Sequence, residues 1–268
     1  EYAHTSILQG DTSWRIFGSF YNPNCVAGYL LATMPAAAVL LARAGVRPIP
    51  AERLRSAASA RPGQAQRERP RFGAILAGFA LALPAVALLL TASRAGILGA
   101  LLGAAVFLAV RPSRISKRWL AVAALALVVL AMAAPPLRER FVEAASQSHS
   151  AVFRWYTWKG AARMIEARPA LGFGPGGFEF AYQQFAEAGF TRMAHETPLQ
   201  IAAEAGVPAL LALLVALGLI GKDLLSAGRE GWPQGVEAAA GLAALAAVGF
   251  QNLLDYTWYV TAVGLTLA

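Results

Sequence analysis

The chain has 268 residues, 57% of them hydrophobic and only 14% charged, which is too apolar for an ordinary soluble domain of that length and makes a bilayer part of its solvent. The formal net charge is +8, but the excess lies in short basic loops and not on a surface suited to nucleic acid, so no nucleic-acid partner is expected. Cys25, the only cysteine, leaves no intrachain disulfide or thiolate metal cluster and reads as a helix-packing residue.

Runs long enough, or nearly so, to cross roughly 30 Å of hydrocarbon as helices are predicted at 24–44, 73–92, 95–110, 119–134, 207–222 and 235–252, and another begins near Tyr259. The fold class is therefore an all-α polytopic membrane protein with about six to seven transmembrane helices and one helical loop domain. The divisions are a first transmembrane block at 1–134, a loop domain at 135–206 and a C-terminal transmembrane block at 207–268. Because the first residue is Glu1 and the last run is still apolar at Ala268, the chain reads as a piece cut at both ends, in which no targeting segment can be judged.

Orientation follows from the basic residues, which stay on the cytoplasmic side. Arg43, Arg47, Arg53, Arg55, Arg61, Arg67, Arg69 and Arg71 fall between the first two runs, against Glu52 and Glu68. The linker at 45–72 is thus cytoplasmic, and its Pro-, Ser-, Gln- and Arg-rich part at 56–71 is expected to be mobile and to meet anionic headgroups. Arg111, Arg114, Lys117 and Arg118, then Lys222 and Arg229, fall on the same side. Residues 1–22, the turn at Arg94, the loop at 135–206 and the turn around Asp255 face outward. No repeat and no Walker, HExxH, CxxC or GxSxG pattern occurs, so ATP hydrolysis, zinc chemistry and serine-hydrolase chemistry have no visible support.

Within the outer loop, a helix is predicted over 151–167 with Arg154, Trp158, Ala162 and Ile165 on one face suited to a membrane interface. The run Gly172-Phe173-Gly174-Pro175-Gly176-Gly177 cannot continue a helix and predicts a tight turn. A short helix follows, with Phe178, Tyr182 and Phe185 on one side. A third starts at Thr197-Pro198-Leu199-Gln200, where Thr197 can cap and Gln200 can reach back.

Three cationic or titratable groups carry alternatives. Arg94, between two apolar runs, is either a snorkelling arginine or a fixed cation for an anionic headgroup or diphosphate, since an arginine that deep is costly to bury without a partner. Arg154 either serves the same end or stacks on Trp155, Tyr156 and Trp158. His195 is either a solvated or structural loop residue or a base, its ring kept neutral near a helix N-terminus.

The order Arg15-Ile16-Phe17-Gly18-Ser19-Phe20-Tyr21-Asn22-Pro23-Asn24, Thr91-Ala92-Ser93-Arg94, Arg154 with Trp158, Pro169-Ala170-Leu171-Gly172-Phe173-Gly174, Ala194-His195 and Glu204-Ala205-Gly206 resembles the O-antigen ligase and Wzy-type polymerase superfamily, over nearly the whole chain. The resemblance implies the C-terminal half of a multi-pass protein of the bacterial inner membrane whose large loop faces the periplasm. It implies metal-independent, inverting transfer of glycan from an undecaprenyl-diphosphate carrier to an acceptor hydroxyl on glycan, lipid A-core or protein, with no cofactor. The family's catalytic arginines and histidine fall on Arg94, Arg154 and His195. Arg15, Asn22, Asn24, Ser93, Trp158, Gly172, Gly174, Glu196 and Glu204 are the expected substrate-binding positions. One departure is Glu196, where relatives often carry Asn; it would raise the pKa of His195 or bind acceptor hydroxyls. A bicarbonate-carrier-like transporter and a non-catalytic subunit of a polysaccharide assembly complex are the alternatives.

Overall fold

The computed structural model describes residues 22–45, 71–110, 149–187, 189–231 and 234–259. Among these, every regular element is helical: α1 (Pro23–Gly45), α2 (Arg71–Leu90), α3 (Arg94–Val110), α4 (His149–Ala167), α5 (Phe178–Ala181) continued by a 3-10 turn at Tyr182–Gln184, α6 (Thr197–Ala205), α7 (Val207–Gly228), α8 (Gln234–Asn252), and a last 3-10 turn at Thr257–Tyr259. The predicted run at 119–134, most of the basic linker, Arg15, and the run beyond Tyr259 lie outside the described residues.

Two helices are long and apolar enough to cross a membrane, Pro23–Leu40 within α1 and Val207–Gly228, while Phe79–Leu90 and Arg94–Val110 are shorter apolar stretches. α3 packs most extensively on α8, and α1 packs on α2, α8 and α3. Small residues allow this approach, as they do wherever helices associate without a hydrophobic drive between them. A Cβ at Gly99 would lie 2.7 Å from the Ala247 carbonyl oxygen, and one at Gly103 2.8 Å from that of Ala243. Ala27, Leu31, Ala32, Leu88, Ala247 and Val248 close the seam.

The contacts also fix heights along the bundle. With Gly99 level with Ala247 and the helices antiparallel, Arg94 and Asn252 each lie five residues, about 7.5 Å of rise, beyond that contact, at the same end. Gly28 near the start of α1 faces Gln251 and Thr257 there. Asn22 begins α1 as its cap, its Oδ1 accepting from Asn24 N at 2.9 Å, with Pro23 in the first helical position.

The loop domain stands on that end. Its core joins α4 (Ala161, Met164), α5 (Phe178), the 3-10 turn (Tyr182) and α6 (Ala203) with Ala194. Phe178 and Tyr182 stack at 5.1 Å. The α4 face expected at a membrane interface is instead only half exposed: Arg154, Trp158, Ala162 and Ile165 are all intermediate, while Val152, Trp155, Lys159, Arg163 and Glu166 form the open side. The cause is that Thr157, Gly160, Ala161 and Met164 are buried, which turns the predicted face sideways.

The glycine run is docked onto the end of α6. Phe173 and Gly174 N–H groups donate to Ala203 O at 2.9 Å and Glu204 O at 2.8 Å, satisfying carbonyls that a helix end leaves without intrahelical partners. Gly172, at φ +63°, lies against the Glu204 backbone, and Gly206, at φ +86°, against Ala170 O; a Cβ fits at neither.

Gly99→Val is expected to lower the thermal midpoint in detergent by several degrees, from overpacking worth about 1–3 kcal/mol. Gly249→Ala, where nothing lies within 4 Å of the added Cβ, should leave it nearly unchanged. An unaltered midpoint in Gly99→Val would contradict the close α3–α8 packing.

Candidate functional site

The segment Leu254-Asp255-Tyr256, between α8 and the last 3-10 turn, holds together the end of the bundle at which Arg94 and Asn252 stand. Asp255 is 2% exposed. Its Oδ2 accepts from Asn24 Nδ2 of α1, and its Oδ1 accepts from Tyr256 N at 2.9 Å. Its carbonyl accepts from Thr197 Oγ1 of α6 at 3.1 Å, and Thr197 Oγ1 also lies 2.7 Å from Asn252 Oδ1 of α8. Asn252 Oδ1 in turn accepts from Trp258 N at 2.8 Å, and Gln251 Nε2 donates to Asn24 O at 2.7 Å. A buried carboxylate survives only with such partners.

Two of the residues singled out in the sequence meet this strap. Arg154 Nη1 donates to Leu254 O at 3.1 Å across a hundred residues of chain. The His195 ring packs edge-on against Tyr256 at 5.3 Å and Phe153 at 6.3 Å, with its Nε2 3.4 Å from Thr191 Oγ1. His195 holds φ +56°, a conformation that non-glycine residues seldom adopt and that the surrounding contacts must enforce. Arg94 stands in the first turn of α3, exposed, at the height of Asn252 argued above. All three groups therefore occupy one end of the bundle.

The turn that aims Arg94 is built by its neighbours. Thr91 Oγ1 donates to Leu88 O at 2.6 Å and accepts from Ser93 N at 3.2 Å. Ala92 takes φ +49°, and Ser93 Oγ accepts from Gly96 N at 3.2 Å as the α3 cap. Ser93 is 1% exposed, so its hydroxyl serves the helix.

At α6 the expected cap is displaced by one residue. Glu196, in an extended conformation, is the cap, its Oε2 accepting from Leu199 N at 2.7 Å. Thr197 has its hydroxyl in the strap, and Gln200 does not reach back to the helix start: its Oε1 accepts from Ala194 N at 2.6 Å and its Nε2 donates to Glu204 Oε1 at 2.9 Å. Glu204, 5% exposed, also accepts from Phe178 N at 3.3 Å and so joins α6 to α5. Gly172 and Gly174 contribute backbone to the docked turn. Trp158 keeps a buried Nε1 that has no hydrogen-bond partner among the described residues.

The electrostatics favour a neutral imidazole. Burial holds the His195 pKa below its usual 6.5, the Arg154 guanidinium pushes the same way, and Asp255 opposes both. The carboxylate that acts on the histidine is Asp255, and burial is the largest cause of the lowering. Burial also raises the Glu196 carboxyl, against the Leu199 hydrogen bond.

The sequence marked Thr197 only as a helix cap and Asp255 only as the centre of a turn, and it did not mark Asn252. The available signal was an acidic residue inside an otherwise apolar segment, which is costly without a partner. The partners come from α1 and α6, which only the fold brings near.

A family model described as O-antigen ligase matches residues 79–214, just over half of the chain and including Arg94, Arg154 and His195. No curated protein matches.

Because the folded histidine binds its proton less readily than the unfolded one, stability contributed by the neutral ring is present above pH 6.5 and declines as pH falls toward the lower folded value. An NMR titration of the three histidines should place the His195 midpoint below 6.5, raise it in Arg154→Gln and lower it further in Asp255→Asn. A wild-type midpoint above 6.5, or shifts of the opposite sign, would refute the charge arrangement.

Proposed function

The chain belongs to the O-antigen ligase family of bacterial inner-membrane glycosyltransferase-type proteins, and from that premise we propose that it transfers glycan from an undecaprenyl-diphosphate carrier to an acceptor hydroxyl outside the cytoplasm. What supports this reading is that Arg94, Arg154 and His195 stand at the same end of an apolar bundle. About six to seven spans would place that end at the periplasmic face.

In the proposed step, the acceptor oxygen attacks the anomeric carbon from the side opposite the carrier. The bond between that carbon and the diphosphate oxygen breaks, inverting the configuration. The acceptor proton passes to the His195 ring, and the electron pair leaves on the diphosphate. Arg154 commits one donor to Leu254 O out of the five that a guanidinium carries, so its fork can still meet phosphate oxygens. Arg94 would share that task, and charge supplied this way requires no metal. Protonated His195 would then return its proton to solvent. Ser93 and Glu196 support the site as helix caps, Gly172 and Gly174 through their backbone, and Asn24 and Glu204 through side-chain hydrogen bonds; Trp158 carries a buried donor one helical turn from Arg154.

A purified-protein assay with the lipid-linked donor tests this. Arg94→Lys should lose on the order of 10²-fold in transfer, since an ammonium does not reproduce a planar fork on two phosphate oxygens, and chelators should have no effect. Full turnover in Arg94→Lys, or loss in EDTA restored by a divalent ion, would assign the diphosphate's neutralisation elsewhere.

A further inference from the structure

The turn between α4 and the glycine run carries the most exposed large apolar side chain among the described residues, Leu171 at 83%. Its backbone is clamped. Val207 N donates to Pro169 O at 2.8 Å, and Gly206 lies so close to Ala170 O and Leu171 N that no Cβ fits between them. The turn is therefore fixed to the first residue of α7.

α7 is the helix whose apolar stretch has no residue buried inside the protein, with Leu211, Leu214, Val215, Leu219 and Ile220 all at least half exposed. From Val207 to Gly221 it rises only about 22 Å at 1.5 Å per residue before the charged pair Lys222 and Asp223. The hydrocarbon is roughly 30 Å thick. Lys222 can snorkel to recover part of the shortfall, but the short Asp223 side chain cannot. With those charges at the inner headgroups, the outer hydrocarbon edge lies beyond Val207, at the height of the clamped turn.

We infer that the Arg168–Leu171 turn is a lipid anchor: Leu171 enters the outer-leaflet acyl region while Arg168, whose guanidinium lies 4.7 Å from the Phe173 ring centroid, meets headgroup phosphates. The inference rests on α7 crossing the membrane with Val207 outward. Its consequence is positional. The anchor holds α4 and α6, and with them Arg154 and His195, at a fixed depth relative to the bilayer.

Nitroxide labels at Leu171→Cys and, separately, Leu214→Cys report this in proteoliposomes of phosphatidylethanolamine and phosphatidylglycerol; Cys25 is 2% exposed and should label poorly beside either introduced thiol. Power saturation should show both labels more accessible to oxygen than to a water-soluble nickel chelate, with Leu214→Cys the deeper. If Leu214→Cys is lipid-exposed and Leu171→Cys is accessible mainly to nickel, the anchor is wrong and the span stands. If both report water, α7 is not a span and both ideas fall. Spin–spin broadening at Leu171→Cys that disappears on dilution with unlabelled protein would assign the turn to a contact between copies and overturn the lipid assignment.

Discussion

A carboxylate taken out of water has to be met by donors, and at Asp255 that requirement organises one end of the helical bundle. Its two oxygens bind Asn24 of α1 and the Tyr256 backbone, while its carbonyl binds Thr197 of α6. Leaving a buried carboxylate without partners costs several kcal/mol, so these three elements are held in one register. The same few residues then give Arg154 its carbonyl and His195 its ring contact. Structure and chemistry are coupled here because the groups that satisfy the buried charge are adjacent in the chain to those that aim the guanidinium and the imidazole.

Apolar runs made the membrane class and the described helices legible, since length and hydropathy depend on local sequence alone. α1, α2, α3, α7 and α8 lie close to the runs at 24–44, 73–92, 95–110, 207–222 and 235–252, though α7 continues through Lys222 and Asp223 to Gly228. The glycine turn and the start of α6 were also readable from backbone chemistry. What could not be read was which partner each polar side chain would choose. Glu196 outcompeted Thr197 for the cap because Thr197 is drawn into the strap, and Gln200 turned toward Ala194 and Glu204. The Thr197 contacts that decide the cap reach 55 and 58 residues along the chain, beyond any local pattern.

The interlock of the glycine run with the end of α6 gives a physical account of two segments that carry the family resemblance. Pro169-Ala170-Leu171-Gly172-Phe173-Gly174 and Glu204-Ala205-Gly206 are one clasp: carbonyls of α6 receive the N–H groups of Phe173 and Gly174, and Gly172 and Gly206 permit the close approach. The clasp sets where α6 ends and α7 begins, and through α6 it sets where His195 stands. In the proposed reaction its glycines would act by way of geometry.

The most direct test of the account is the transfer rate per folded molecule, measured from about pH 5 to 8 for the wild type and for His195→Ala. A base loses its function when protonated, so the wild-type rate should fall on an acid limb with a midpoint below the ordinary histidine value of about 6.5. In His195→Ala the limb should vanish and the plateau drop by about 10²–10⁴-fold, with donor binding little changed. A variant that retains the acid limb and near-normal turnover would remove His195 from the reaction and contradict the account.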